Sequence, residues 1–196
     1  MIGHGTSDLN QFFSTLPLAS VLVDVRSVPY SKHAQRFNRE SLRTNCLTRG
    51  IMYKYMGDSL GGRPADPSLY GEDGLLDYEL LASSPKFLEG VTELVGLCTN
   101  SSGNVYTMCA ETAHMQCHRT LVIAPELLKR DIWIHYMNPG GTGPHASILS
   151  ESDLRVALAC HARDFTGTSS ASELLSRLRK KIAPKKPRVS EEDFEL

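Results

Sequence analysis

The sequence predicts an α/β protein: a single-domain, three-layer sandwich with a mainly parallel, Rossmann-like sheet. Two observations carry that prediction. Short apolar runs rich in β-branched residues alternate with segments of helical period, the pattern of strands covered on both faces by crossover helices. Each run also ends in polar residues able to do chemistry. His4 follows Ile2-Gly3, Asp24-Val25-Arg26 closes the run from Val21, Cys109-Ala110-Glu111 follows Val105 to Met108, and His135 follows Ile132 to Ile134. Right-handed crossovers carry such strand ends to one edge of the sheet, where open α/β sheets bind ligands.

The elements follow in order. Ser7-Asp8 caps a helix to Leu16, with Leu9, Phe12, Phe13 and Leu16 at helical spacing, and Pro17 ends it. Val21 to Arg26 is a buried strand. Ser27 to Phe37 is a loop, Arg39 to Leu47 a short helix, and Ile51 to Met56 a second strand. Gly57 to Gly74 contains Gly61-Gly62, Pro64 and Pro67 and reads as a long irregular loop, of the kind that serves as a lid or binding loop or is disordered. Ser84-Pro85 opens a helix to about Cys98, because proline is favoured at the first helical position. Asn104 to Cys109 is a strand. Cys117 to about Arg130 is helical with a kink or break at Pro125. Ile132 to His135 is a strand, and Ser152-Asp153 begins a further helix through Cys160. The α/β domain is expected to span residues 1–165. Residues 166–196 form a peripheral segment, with a marginal helix from Glu173 to Ile182 and a flexible charged end.

The chain has 196 residues, 41% hydrophobic and 22% charged, with a formal net charge of -1. That length can bury a real core. Near-neutral charge gives no overall electrostatic case for nucleic acid. No run approaches the roughly 18 apolar residues of a membrane span. No basic segment leads into an apolar stretch at the N-terminus, so the expected location is the cytoplasm. The five cysteines, at 46, 98, 109, 117 and 160, are odd in number and widely spaced, which fits reduced thiols better than a disulfide framework.

The richest cluster is Cys109-Ala110-Glu111 followed by Cys117-His118-Arg119. Cys117 falls near a predicted helix start beside His118 and Arg119. A helix N-terminus and neighbouring cations lower a thiol pKa and supply the thiolate that a nucleophile needs. The same arrangement suits a phosphate or carboxylate. The plain alternative is that both cysteines are small buried hydrophobes. Cys109, Cys117, His118 and His4 can also converge as zinc ligands, although the two cysteines stand eight positions apart and form no tight pair. No glycine-rich loop with Lys-Ser/Thr is present, which excludes the P-loop mode of phosphate binding. Asp24 and Arg26 share one side of their strand. They can orient a substrate, hold His4 in one tautomer, or form a structural ion pair. His4 suits a general base or a hydrogen-bonded core position, and His135 reads as structural. Ser31 and His33 follow in a loop that can face the same crevice. Tyr53, Tyr55, Gly61, Gly62 and Arg63 precede or line the long loop. The tail carries Arg177, Arg179, Lys180, Lys181, Lys185, Lys186 and Arg188 ahead of Glu191-Glu192-Asp193. Such a run can contact phosphates or remain a solvated tail.

On these residues the chain resembles the family of bacterial and archaeal proteins grouped as domain of unknown function 488. The resemblance runs through Gly3-His4, Asp24-Val25-Arg26 with Pro29 and Ser31, and Tyr53 with Leu60-Gly61-Gly62. It continues through Cys109-Ala110-Glu111, Cys117-His118-Arg119 and a trailing His135, covering roughly residues 2 to 137. The family commonly has a serine directly after the first histidine, where this chain has Gly5-Thr6. The resemblance implies an α/β fold and a shared polar site, and brings no reaction with it.

The expectation is a small cytosolic enzyme with its site at the carboxyl edge of the sheet. Cys117 is the nucleophile, Glu111 and His4 move protons, and Asp24 orients the substrate. Arg26, Ser31, Tyr53, Cys109, His118 and Arg119 bind it, and a nucleotide or other anionic, phosphorylated metabolite is the expected class. No metal is assigned and the cofactor stays open. The alternatives are a non-catalytic module that binds a ligand in the crevice or nucleic acid through the basic tail, and a Cys/His metal-binding protein.

Overall fold

The structure is a computed structural model that describes residues 1–137, 139, 173, 176, 179, 180, 183 and 184. Four strands form an all-parallel sheet in the order β1–β4–β2–β3: β1 Ile2–Gly3, β2 Val21–Asp24, β3 Met52–Tyr55 and β4 Val105–Cys109. A parallel bridge from Ile2 to Met137 extends the pairing past β1. The expected strand at 132–135 is therefore corrected. Asp131 takes a positive φ of 57°, residues 132–135 form no strand, and bridge pairing begins at Tyr136 and Met137.

Alternation along β2 divides the core in two. Val21 and Val23 face one layer with Phe87, Val91 and Leu94, whereas Leu22 faces the other with Phe12, Phe13, Leu42 and Cys46. Strands buried on both sides read as continuous apolar runs, as this one does. Helix α1, Leu9–Ser14, lies in the second layer. Its cap is Asp8, whose carboxylate accepts from the Gln11 N–H at 2.8 Å while the Gln11 side chain accepts from the Asp8 N–H, a reciprocal capping box. Helix α2, Arg39–Leu47, joins that layer through Leu42 and Cys46. The opposite layer holds α5, Pro85–Asn100, with Pro85 in its first turn and Phe87, Gly90, Val91 and Leu94 buried. Full burial of a phenylalanine such as Phe12 or Phe87 contributes roughly 1.5–3 kcal/mol.

Three segments differ from the sequence reading. The stretch from Gly57 is not a structureless loop. It holds α3, Gly57–Leu60, and a 3-10 turn at Pro67–Leu69 capped by Asp66, whose side chain accepts from the Ser68 N–H. The local hydrogen bonds of Asp66 and the burial of Leu60 and Leu69 order it. Helix α4, Tyr78–Ser83, was not foreseen; Asp77 caps it by accepting from Glu79 and Leu80. The segment after Cys117 begins as a π-helix at Arg119–Ile123 and becomes α6, Ala124–Leu128, so it is divided in two at the turn that holds Pro125. The expected helix from Ser152 lies outside the described residues. In the C-terminal segment, 173, 176, 179 and 180 are helical.

Among the described residues no helix is long and apolar enough to cross a membrane.

Candidate functional site

The sheet register lines up the strand ends. Gly3 pairs with Cys109, and Asp24 pairs with both Met108 and Tyr55. His4, Arg26 and Cys109 therefore emerge side by side at the carboxyl edge. Close approach is built in at Gly3, where a Cβ would run into the Glu111 carbonyl.

Asp24 and Arg26 form a buried bidentate pair. Arg26 Nε donates to Asp24 Oδ1 at 2.9 Å and Nη2 to Oδ2 at 2.6 Å. The Arg26 backbone N–H and the Tyr53 hydroxyl, the latter at 2.8 Å, also donate to this carboxylate. Arg26 further donates to the Phe37 carbonyl at 2.8 Å. Parallel donors in a fixed fork give geometry as well as energy. His4 stacks on Phe37 at 4.3 Å between centroids. Its Nδ1 donates to the Gly5 carbonyl at 3.0 Å, which leaves Nε2 to accept from Arg26 Nη1 at 3.4 Å. Burial and the Arg26 guanidinium lower the His4 pKa to about 4. His4 is thus a neutral, engaged ring that positions Arg26, and its Nε2 is not free to take a substrate proton.

A second cluster lies beside the first. The sulfurs of Cys109 and Cys117 and a ring nitrogen of His118 all lie within 4.8 Å of one another. Arg119 Nε donates to Cys117 Sγ at 3.1 Å. Burial alone raises the Cys117 pKa, but hydrogen bonding from the Cys109 thiol and the charge and hydrogen bonds of Arg119 outweigh it and bring it to about 6. The backbone N–H of Arg119, first residue of the helical segment, is among these donors, as expected of a helix N-terminus. Cys109 moves the other way, to about 12, through its hydrogen bond to Cys117 and through burial. His118 Nε2 lies 3.1 Å from the Val25 carbonyl and donates to it, so Nδ1, 3.6 Å from Cys117 Sγ, faces the thiols. Loop 57–74 reaches this ring through Gly62, where a Cβ would come within 2.7 Å of His118 Cγ; a glycine is required for that approach.

A cleft of about 410 Å³ opens over this cluster. Its lining includes Arg26, Arg63, Cys109, Glu111, Cys117 and His118. A larger cleft of about 660 Å³ lies between Leu94, Val105, Leu127 and Trp133, on mainly apolar lining. Volume does not locate the chemistry here; the thiols and arginines of the smaller cleft do.

The predicted residues therefore separate. Cys117, Cys109, His118, Glu111 and Arg26 reach the cleft. His4, Asp24 and Tyr53 stand behind Arg26 and hold it. Arg119, read from sequence as a ligand-binding cation, is 1% exposed beneath the site. It donates to the Ile2 and Glu111 carbonyls as well as to Cys117. Ser31 is outside the cleft lining; its hydroxyl accepts from the His33 and Ala34 N–H groups within its own loop. Glu111 is exposed and accepts from the Ala113 N–H at 2.9 Å. Thr6 is exposed and offers its carbonyl to Arg36. His135 is exposed and gives its carbonyl to the terminal amine of Met1.

Sequence reasoning missed Tyr78, which lines the cleft from α4; the cap at Asp77 was the signal that could have found it. It read Arg179 only as part of the basic tail and missed its burial. This tail residue is buried, donates to the Leu121 carbonyl at 2.8 Å and pairs with Glu79 at 2.6 Å. It is thus engaged inside the protein rather than available to phosphate. Arg177, Lys181, Lys185, Lys186 and Arg188 lie outside the described residues.

The three donors are also the set that a soft divalent cation takes, and His118 has the backbone-anchored ring typical of a metal ligand. A guanidinium already donating to Cys117 Sγ opposes a second cation at that sulfur.

A search of curated proteins found no match, and a search of solved structures found none. A family model matches residues 9–124. The span contains Asp24, Arg26, Tyr53, Cys109, Glu111 and Cys117-His118-Arg119, while His4 and His135 fall outside it. With more than half of its length matched, the chain belongs to the family described as Domain of unknown function DUF488.

Proposed function

We propose that this protein is a small enzyme in which the Cys117 thiolate attacks an electrophilic centre of an anionic substrate, a nucleotide or other phosphorylated metabolite. One observation carries the reading: Cys117 Sγ receives Arg119 Nε at 3.1 Å and lines a cleft whose walls carry Arg26 and Arg63. A thiolate stabilised in this way is the reactive form of cysteine. Arginines suit phosphate and carboxylate through planar, bidentate donation. Glu111, on the same cleft, is the group placed to move a proton. Arg119 and His118 position the thiolate, and the His4–Asp24–Tyr53 network fixes Arg26.

The test is the pH dependence of Cys117 alkylation by iodoacetamide, read by peptide mass spectrometry on reduced protein. The expected midpoint is near 6, against roughly 8.5 for an ordinary thiol. Inorganic phosphate and adenosine monophosphate are expected to slow the reaction by occupying the cleft. A midpoint above 8 overturns the thiolate. A midpoint near 6 without protection by either anion overturns the substrate class.

A further inference from the structure

Cys117 has a neighbour that a simple nucleophile does not need. The Cys109 thiol lies within 4.8 Å of Cys117 Sγ, and both cysteines are reduced in this structure. Their environments differ. Cys117 is 3% exposed and receives Arg119. Cys109 is partly exposed and ends β4. Between them, residues 110–113 and Gln116 are exposed, while the Ala110 and Glu111 carbonyls are held by the Gly5 N–H and Arg119, so closure falls to the two cysteine side chains. Closing to a disulfide requires the sulfurs to approach to about 2 Å.

We propose that Cys109 and Cys117 form a peroxide-reactive dithiol, with Cys117 as the attacking sulfur and Cys109 as the resolving one. The inference rests on the thiolate reading of Cys117 and adds a second activity, thiol-dependent reduction of a small hydroperoxide. The Cys117 thiolate attacks the terminal oxygen of the hydroperoxide. The S–O bond forms, the O–O bond breaks, and the alkoxide or hydroxide leaves and takes a proton from water. Cys109 sulfur then attacks Cys117 Sγ. The S–S bond forms, the S–O bond breaks, and hydroxide leaves with the Cys109 proton as water. Together the two thiols and the peroxide give a disulfide, an alcohol or water, and water.

Exposure and charge set the direction of each half. A buried thiolate is reached by a small peroxide and shielded from bulky reagents. An external thiol reaches the partly exposed Cys109 sulfur. The leaving group is then Cys117, the sulfur that Arg119 already stabilises as an anion, and a better leaving thiolate speeds the exchange. A second external thiol releases Cys109 and carries away the oxidised product as its own disulfide.

The experiment treats the reduced full chain, with metal content measured, with one equivalent of hydrogen peroxide. The intact mass is expected to fall by two hydrogens, and a non-reducing peptide map to join Cys109 to Cys117. In Cys109→Ser the sulfenic acid is expected to persist on Cys117, read as one oxygen added to the intact mass and to the Cys117 peptide. With dithiothreitol supplied, the native chain turns over peroxide and Cys109→Ser loses most of that turnover. Rapid Cys117 alkylation at neutral pH without the Cys109–Cys117 bond overturns the dithiol and leaves the thiolate reading standing. A Cys117 alkylation midpoint above 8, or stoichiometric metal on the thiols, overturns both.

Discussion

Protonating His4 is expected to destabilise the fold, and the size of the effect follows from its surroundings. The ring is 4% exposed, and Arg26 Nη1 lies 3.4 Å from its Nε2. Burial first, and the guanidinium second, lower its pKa from 6.5 to about 4. In the unfolded chain the ring titrates near 6.5. Between these values the unfolded state binds a proton that the folded state refuses, so stability falls as pH drops through the window. At 1.36 kcal/mol for each pH unit of separation, the whole window is worth about 3 kcal/mol. That is a large part of the 5–15 kcal/mol typical of a domain. The assay is urea denaturation between pH 7 and 4 on the native chain and on His4→Gln, whose amide keeps a donor and an acceptor without titrating. The native chain should lose about 3 kcal/mol more than the variant across the window. Cys117, also held below its ordinary value, contributes stability present in full above its unfolded pKa and lost as pH falls toward about 6; it is common to both proteins and cancels. Parallel stability curves would refute the reasoning.

Two further substitutions probe the supports of the site. Asp24→Asn leaves the buried Arg26 guanidinium without its carboxylate, and a loss of about 3–5 kcal/mol in chemical denaturation is expected; a loss under about 1 kcal/mol, as for an exposed pair, would count against the pair as a structural post. Gly62→Ala drives a Cβ against His118, which is held between Cys117 and the Val25 carbonyl. The denaturation midpoint should fall by an amount equivalent to about 1–3 kcal/mol, and an unchanged midpoint would show that the loop gives way instead.

Much of this arrangement is visible in the order of residues. The strands end where apolar runs meet Asp24, Arg26 and Cys109, and parallel pairing then gathers those ends. Helix α2 is bounded as read, because Leu42 and Cys46 recur at helical spacing. Tyr78–Ser83 escaped because six residues give too little periodicity to stand out, and its cap at Asp77 sits in a run that looks like loop. The π-helix escaped because hydrogen-bond register within a helical segment has no compositional mark. Arg119 was visible as a cation beside a thiol, but its burial was not. Sequence adjacency cannot show that its other donors are taken by carbonyls 117 and 8 positions away.

That burial gives the acidity of Cys117 a cause deeper than proximity. Arg26 and Arg119 are both nearly inaccessible, at 6% and 1%, and each ties strand ends together. Arg26 has the Asp24 carboxylate as its counterion. Among the described residues, Arg119 donates to two carbonyls and one sulfur. Carbonyls satisfy its N–H groups but carry no charge. A buried cation without a counterion is costly, and of these partners only Cys117 can become an anion. In the proposed thiolate form, loss of the thiol proton would offset the buried charge of Arg119 as well as activate the sulfur. The hydrogen bond from Cys109 acts in the same sense, because a neutral thiol can donate to a thiolate whereas two thiolates would repel. On the proposed thiolate reading, the strand-end architecture that holds β1 to the loop after β4 through Arg119 is the same one that favours a charged Cys117.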